Sequence, residues 1–142
     1  MSDLQYETVF NAPREVEDAI RDGLYRYNLS HVGAESNRYE RFAIAVKDDA
    51  GNITGGLIGE MYWDYLHVDT LWLAESYRGQ DVGSRLLTMA EAVAREKGMH
   101  HASLETTTFQ ARGFYEKHGY RVVGQLDGKP PGHIWFFMQK DL

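Results

Sequence analysis

Apolar residues recur along the chain with two different spacings. Val16, Ile20 and Leu24 are four residues apart, which is typical of one face of an amphipathic helix. Between Phe42 and Val46 every second residue is apolar, which is typical of a half-buried strand. The pattern therefore predicts a chain in which strands and helices alternate.

Glycine, proline and changes of period predict where each element begins and ends. Pro13 suits the first turn of a helix, and Gly98 and Gly119 suit helix ends. Residues 29–40 are polar and aperiodic, so a loop or a short second helix is expected there. The predicted strands cover residues 5–10, 42–46, 53–63, 65–74, 101–105, 121–124 and 133–138, and the predicted helices cover 13–28, 80–98 and 109–117. This order predicts an α/β (α+β) fold, a mixed sheet with helices packed on it.

The strand at residues 65–74 has side chains of different character on its two faces. Alternation with period two predicts one face with Leu66, Val68, Thr70 and Trp72, and the opposite face with His67, Asp69, Leu71 and Leu73.

Length and composition restrict the class of protein. A chain of 142 residues with 43% hydrophobic and 25% charged residues predicts a single globular domain over residues 1–142. Without cysteine, disulfides, thiolate nucleophiles and cysteine-ligated metals are excluded. A net charge of -6 disfavours nucleic acid and anionic membranes as partners and suits a cationic small substrate.

No targeting or membrane segment is recognisable in the sequence. The first residues lack a basic region followed by an apolar segment, so no signal peptide is predicted. No apolar run approaches the ~20 residues of a membrane span. A cytoplasmic location is therefore expected.

The segment at residues 71–87 predicts a strand, a glycine-containing turn and a helix in direct succession. The first amides of a helix have no internal partners, and the helix dipole adds positive charge there. Gly79 and Gly83 would let an anion approach this backbone, so the segment fits a phosphate cradle. A tight connection without a ligand is the alternative.

The segment from Arg78 to Ser84 and the later segment from Ala111 to Tyr120 carry two motifs. Both resemble motifs of the GNAT superfamily of acetyl-CoA-dependent N-acetyltransferases. The acetyl-CoA signature (Gln/Arg)-x-x-Gly-x-(Gly/Ala) is similar to Arg78-Gly79-Gln80-Asp81-Val82-Gly83-Ser84. The later helix Ala-x-x-x-Tyr-x-x-x-Gly-(Phe/Tyr) is similar to the segment from Ala111 to Tyr120. The resemblance implies a mostly antiparallel sheet of about six to seven strands with helices on both faces. It also implies that the strand before the turn splays from its neighbour.

The resemblance implies transfer of an acetyl group from acetyl-CoA, a co-substrate, to a primary amine by direct attack in a ternary complex. A non-catalytic acyl-CoA-binding or interaction module on the same fold is the alternative. No metal is implied, and a homodimer is left open. The residues implied to contact the cofactor are Leu71, Trp72, Leu73, Arg78, Gly79, Gln80, Asp81, Val82, Gly83, Ser84, Thr108, Ala111 and Phe114.

Tyr115 matches the family's tyrosine near the thioester sulfur, where it would act as general acid. Its alternative role is that of a packed aromatic residue. For the general base, His67, Asp69 and Glu60 are the candidates, and each could instead be an ordinary strand residue.

Two positions depart from the family pattern. Asp81 stands where a glycine is usual, and Thr108 stands where many members have asparagine. A carboxylate beside the diphosphate would weaken binding unless Asp81 points away and caps the helix.

The acceptor is expected to be a small-molecule or peptide amine. Negative residues near the presumed site, namely Glu60, Asp64, Asp69 and Glu75, suit a cationic acceptor. The histidines His100, His101, His118 and His133 lack metal-ligand spacing and are interpreted as surface residues.

Overall fold

The computed structural model describes residues 3–142 and divides into two compact units. The first unit ends at Asn37, and the second spans Arg38–Leu142. All the predicted site residues belong to the second unit.

The first unit contains helix α1, Arg14–Ser36. Pro13 is its N-cap residue. Proline suits a helix start because its φ is fixed and it has no backbone N–H that would need a hydrogen-bond partner. The helix passes its predicted end near Asn28 and is interrupted at Gly33, whose φ is 77°. The strand predicted at residues 5–10 is wrong. These residues form no strand, and all are exposed, so no buried face favours pairing of their backbone.

The second unit contains a six-stranded sheet. Its order is β1-β2-β3-β4-β6-β5. Every neighbouring pair is antiparallel except β3 and β4, which are parallel. The predicted mixed, mostly antiparallel sheet is thereby confirmed. The strands are Tyr39–Lys47 (β1), Ile53–Tyr62 (β2), Tyr65–Leu73 (β3), His101–Thr107 (β4), Arg121–Asp127 (β5) and Ile134–Asp141 (β6).

Two helices connect these strands. Helix α2, Val82–Glu96, joins β3 to β4, and its apolar face supplies Leu86, Leu87, Ala90 and Ala94 to the core. Helix α3, Arg112–Lys117, begins later than predicted because residues 108–111 form a turn. Of the helices within residues 3–142, none is long and apolar enough to cross a membrane.

A β-bulge interrupts strand β3 at Asp69. Val68 lies opposite Gly59 of β2, and Thr70 lies opposite Ile58. Asp69 therefore faces no residue of β2, and the alternation of β3 resumes one residue out of step.

The bulge overturns the predicted division of β3 into two faces. Leu71 and Leu73 pack against the same core that buries Leu66 and Val68, although alternation placed the two pairs on opposite sides. Trp72, predicted beside Leu66, is 51% exposed. One extra residue in a strand places every later side chain on the opposite face of the sheet from the face that strict alternation predicts.

Strands β3 and β4 are paired over only four positions. Tyr65–Val68 lie opposite His101–Leu104. Beyond them the two strands separate, as the resemblance implied, and within residues 3–142 the edge of β3 after Val68 has no strand partner on that side.

Candidate active site

A cavity of about 440 Å³, here called the larger cavity, lies where β3 has left β4 and α2 begins. Its walls come from the end of β3, the following turn, the first turn of α2, and α3. The residues that line it are Leu71, Trp72, Leu73, Arg78, Gly79, Asp81, Val82, Gly83, Ser84, Ala111, Phe114 and Tyr115.

The first turn of α2 presents backbone amides at this cavity. The amide of Arg85 donates to the carbonyl of Asp81 at 3.0 Å, so the amides of residues 82–84 precede the first intrahelical bond. A Cβ added to Gly83 would stand 3.4 Å from Cζ of Phe114, so a longer side chain there would enter the cavity. The arrangement can bind an anion through backbone N–H groups and the helix dipole.

Asp81 occupies the N-cap position of α2 in a left-handed conformation, with φ 61° and ψ 12°. Its side chain makes no capping hydrogen bond, so the capping alternative is wrong in this structure. A left-handed φ favours glycine, the residue usual at this position in the family. The Asp81 side chain belongs to the lining of the larger cavity.

Side-chain contacts hold the walls of the larger cavity in place. Nε of Arg78 donates to the carbonyl of Leu73 at 3.2 Å, which ties the turn to the strand. Oγ of Ser84 and Nε2 of His118 are 2.9 Å apart, and the rings of His118 and Phe114 are 4.8 Å apart. His118 is therefore half-buried and packs against two lining residues, Ser84 and Phe114, and is not the surface histidine that was expected.

Two residues of the predicted cofactor set, Gln80 and Thr108, are not among those that line the cavity. Nε2 of Gln80 donates to the carbonyl of Ser76 at 2.9 Å. Oγ1 of Thr108 lies 2.7 Å from Nδ1 of His133. Both side chains are thus engaged in local turns.

The remaining histidines of the sequence hypothesis pair with carboxylates. Nδ1 of His100 lies 2.7 Å from Asp64, and Nδ1 of His101 lies 2.8 Å from Asp141. Asp64 precedes β3, at the opposite end of that strand from the cavity, so it does not contribute to the site. Over residues 3–142 there is no group of three or more histidines and carboxylates that could hold a metal ion.

A second, smaller cavity of about 260 Å³ adjoins the first. The two share Leu71, Ala111 and Tyr115. The smaller cavity is lined by Val68, Asp69, Thr70, Leu71, Glu105, Thr106, Gln110, Ala111 and Tyr115.

Tyr115 lies at the junction of the two cavities. Only 8% of the residue is exposed, and its ring lies 5.1 Å from that of Phe114 and 6.0 Å from that of Tyr120. Burial raises the pKa of Tyr115 above its ordinary value, so the phenol keeps its proton at neutral pH. Tyr115 is therefore a packed aromatic residue, which was its alternative role in the sequence analysis, and it also lines both cavities.

Two carboxylates line the smaller cavity from opposite strands. Asp69 projects from the bulge of β3, and Glu105 lies on β4 just past the last residue paired with β3. Glu105 was absent from the sequence hypothesis. Glu60 and His67, which were included in it, do not line either cavity.

His67 lies between two carboxylates. Its Nε2 is 2.6 Å from Glu105, and its Nδ1 is 3.1 Å from Glu60. The hydrogen bond with Glu105, and then that with Glu60, outweigh partial burial and raise the pKa of His67 to about 9. The imidazole is therefore protonated at neutral pH, and the expectation of a neutral histidine base does not fit this arrangement.

Further contacts extend this cluster. Oη of Tyr39 donates to Glu60 at 2.6 Å, which lowers the pKa of Glu60, with smaller contributions from His67 and Arg41. Arg41 bridges two carboxylates, with Nη1 3.2 Å from Glu60 and Nη2 2.7 Å from Asp69. Glu60, Asp69 and Glu105 thus form a carboxylate cluster with the two cations Arg41 and His67.

Comparison with known proteins identifies the family. The model of the family described as "Acetyltransferase (GNAT) family" matches residues 6–120. The chain is 40% identical over 109 residues to blasticidin-S acetyltransferase of Streptomyces morookaense, a match that covers 76% of this chain and 80% of that protein.

Solved structures share the fold. An acetyltransferase from Bacillus cereus is 38% identical, with a TM-score of 0.85 over 96% of this chain and 98% of the other. The PaiA N-acetyltransferase of Thermoplasma acidophilum, solved with coenzyme A, is 21% identical, with a TM-score of 0.62 over 93% of this chain and 81% of the other, a likeness of fold alone. This chain therefore belongs to the acetyltransferase (GNAT) family and is an acyltransferase.

Proposed function

We propose that this acyltransferase moves an acetyl group from acetyl-CoA to a primary amine by direct attack in a ternary complex. The observation that carries the proposal is the position of Tyr115, a protonated phenol where the larger cavity meets the smaller, anionic one. The domain would comprise residues 1–142, since the family match at residues 6–120 includes parts of both compact units.

The larger cavity fits a CoA thioester. The amides of residues 82–84 would hold the diphosphate, and the edge of β3 that no longer pairs with β4 would bond the pantetheine arm. The fold is compatible with this ligand, since the Thermoplasma protein of the same fold was solved with coenzyme A. Asp81 disfavours a CoA ligand, because its side chain lines the same cavity and would repel the diphosphate.

The chemistry needs a group that protonates the departing thiolate. Tyr115 would donate this proton, since it is protonated at neutral pH and lies where the thioester would meet the acceptor. The acceptor nitrogen must lose one proton before it attacks the thioester carbonyl and a second proton afterwards. Before attack, the carboxylates that line the smaller cavity can stabilise the ammonium form of the acceptor.

The acceptor would be a small cationic amine. The smaller cavity has a volume of about 260 Å³ and two carboxylates in its wall, Asp69 and Glu105. The relative from Streptomyces is named for acetylation of a small antibiotic, blasticidin S, which supports an acceptor of this size class.

Cofactor binding is tested by thermal unfolding with and without acetyl-CoA, because a ligand that binds only the folded state raises the melting temperature. Gly83→Glu should abolish the shift, because it places bulk and negative charge at the amides of α2. Gly113→Glu, the same change on the exposed side of α3 where nothing lies within 4 Å, is the control. A parent protein with no shift at millimolar acetyl-CoA would refute the cofactor assignment.

Acetyl transfer is tested with a panel of amines that includes n-butylamine, 1,4-diaminobutane and blasticidin S. Release of free CoA can be followed with a thiol reagent without background from the protein, since the chain has no cysteine. Thioester loss that does not depend on any amine would refute transfer to an amine.

A further inference from the structure

The two carboxylates of the smaller cavity come from the two strands that separate there. Glu105 lies one residue beyond the last pair of the β3–β4 ladder, Val68 with Leu104. Asp69 is the bulge residue on the opposite wall. The separation of the strands and the bulge together bring both carboxylates to one cavity.

Each carboxylate is held by a cation through one of its oxygens. Nε2 of His67 binds Oε2 of Glu105 at 2.6 Å, and Nη2 of Arg41 binds Oδ2 of Asp69 at 2.7 Å. Across residues 3–142, neither Oε1 of Glu105 nor Oδ1 of Asp69 has a hydrogen-bond donor. Both side chains are therefore oriented, and each keeps an oxygen available to a ligand.

The charges of the carboxylate cluster leave room for one more cation. Its three carboxylates face two cations, Arg41 and the protonated His67, so one negative charge is not balanced within the cluster. Glu60 is already engaged by Tyr39, Arg41 and His67 and does not line the cavity. The two carboxylates that can reach a ligand are thus Glu105 and Asp69.

We propose that Glu105 accepts the proton that the acceptor ammonium gives up, while Asp69 holds that ammonium across the cavity. His67 is a positioning residue that fixes Oε2 of Glu105 and leaves Oε1 for the proton. The inference rests on the proposed function and adds to it a base that lies on β4, whereas the expected candidates lie on β2 (Glu60) and β3 (His67 and Asp69).

The protons balance in the proposed sequence. One N–H bond of the ammonium breaks, and its proton goes to Glu105. The amine lone pair then forms the new bond to the thioester carbonyl carbon, and the C–S bond breaks. The thiolate takes the phenol proton of Tyr115, and the second proton lost by the nitrogen restores that phenol. Glu105 finally releases one proton to solvent.

The test compares two nucleophiles across a range of pH. Glu105→Gln keeps the shape of the side chain and removes its basicity, and Glu96→Gln, an exposed position on α2, is the control. The ammonium probe is the best acceptor found in the amine panel. The second probe is methoxyamine, which is already unprotonated at neutral pH.

For the ammonium probe, Glu105→Gln should lower kcat/KM about 100-fold at neutral pH, and the loss should shrink as the pH rises and deprotonates the amine in solution. For methoxyamine the change should stay below about threefold. Glu105→Asp, which retains a carboxylate, should recover part of the rate. Asp69→Asn should raise KM for the ammonium probe and change kcat little.

The results separate this inference from the proposed function. If Glu105→Gln leaves both nucleophiles unchanged, or lowers both equally while the protein remains folded, Glu105 is not the base and the inference fails alone. If Glu105→Gln does not fold, a Glu105→Asp variant whose rate and pH profile both equal those of the parent overturns it as well. A parent that neither binds acetyl-CoA nor acetylates any amine refutes the proposed function and this inference together.

Discussion

Replacing His67 with glutamine should remove part of the protein's loss of stability at alkaline pH. In the folded protein Glu105 and Glu60 raise the pKa of His67 from 6.5 to about 9. The stability that this protonated histidine contributes is therefore fully present below about pH 6.5 and is lost as the pH rises through about 9. Glutamine has no such titration.

The pKa values set the size of the effect. Linkage between 6.5 and about 9 corresponds to about 2.5 kcal/mol at pH 7, nearly all of which is gone by about pH 10. The His67 side chain is 31% exposed, and solvent screening reduces the expected change to about 1–2 kcal/mol.

The measurement is urea unfolding of the parent and of His67→Gln at several pH values from 7 to 10. The difference in unfolding free energy between them should shrink by that amount as the pH rises, while titrations of other groups cancel. His100→Gln is the matched control, because His100 also bonds a carboxylate at 2.7 Å but its side chain is 74% exposed. A difference that stays constant over this range would show that His67 is not held as an imidazolium.

Three further substitutions test other parts of the structure. Tyr115→Phe should lower turnover by about ten- to a thousandfold and leave acetyl-CoA affinity nearly unchanged, and unaltered turnover across pH would contradict its role as acid. Asp81→Gly should raise the unfolding free energy, measured by chemical denaturation, by about 0.5 kcal/mol, because glycine adopts the left-handed φ without strain. It should also tighten acetyl-CoA binding, because it removes a carboxylate from the cavity. A loss of ~1 kcal/mol in unfolding free energy would instead indicate that Asp81 caps the helix. Lys140→Met should cost about 3 kcal/mol, because Glu91, whose side chain is 6% exposed, loses its ammonium partner at 2.8 Å. A loss under ~1 kcal/mol would mean that Tyr120 and the more distant Arg95 are sufficient partners for Glu91.

Much of the second unit was predictable because its local signals agree with its packing. The helix that follows the glycine-containing turn and the glycines that end α2 and α3 all occur as expected. The cofactor turn was found for the same reason, since glycine-rich connections into helices have a recognisable pattern. Residues 5–10 show the limit, because a short segment interpreted as a strand does not form one when none of its residues is buried.

The candidate base was missed for two physical reasons. Counting along β3 assumes strict alternation, and the bulge at Asp69 breaks it. The sequence did contain a sign of the bulge, because Leu71 and Leu73 are apolar on the face that His67 was to share with Asp69. The position of Glu105 beside His67 depends on the pairing of β3 with β4, and these two residues are 38 positions apart in the chain. No local pattern specifies such a pairing.

The pairing of β3 with β4 is the weakest connection in the sheet. Two antiparallel ribbons of three strands each, β1-β2-β3 and β4-β6-β5, are joined edge to edge by only the four pairs from Tyr65 to Val68 with His101 to Leu104. A force that pulls the ribbons apart would therefore separate them along this short seam before it broke either ribbon. Both cavities lie at the end of this seam. A substrate that contacts both the β3 side and the β4 side would therefore hold the two ribbons together at the point where the sheet has the fewest hydrogen bonds between them.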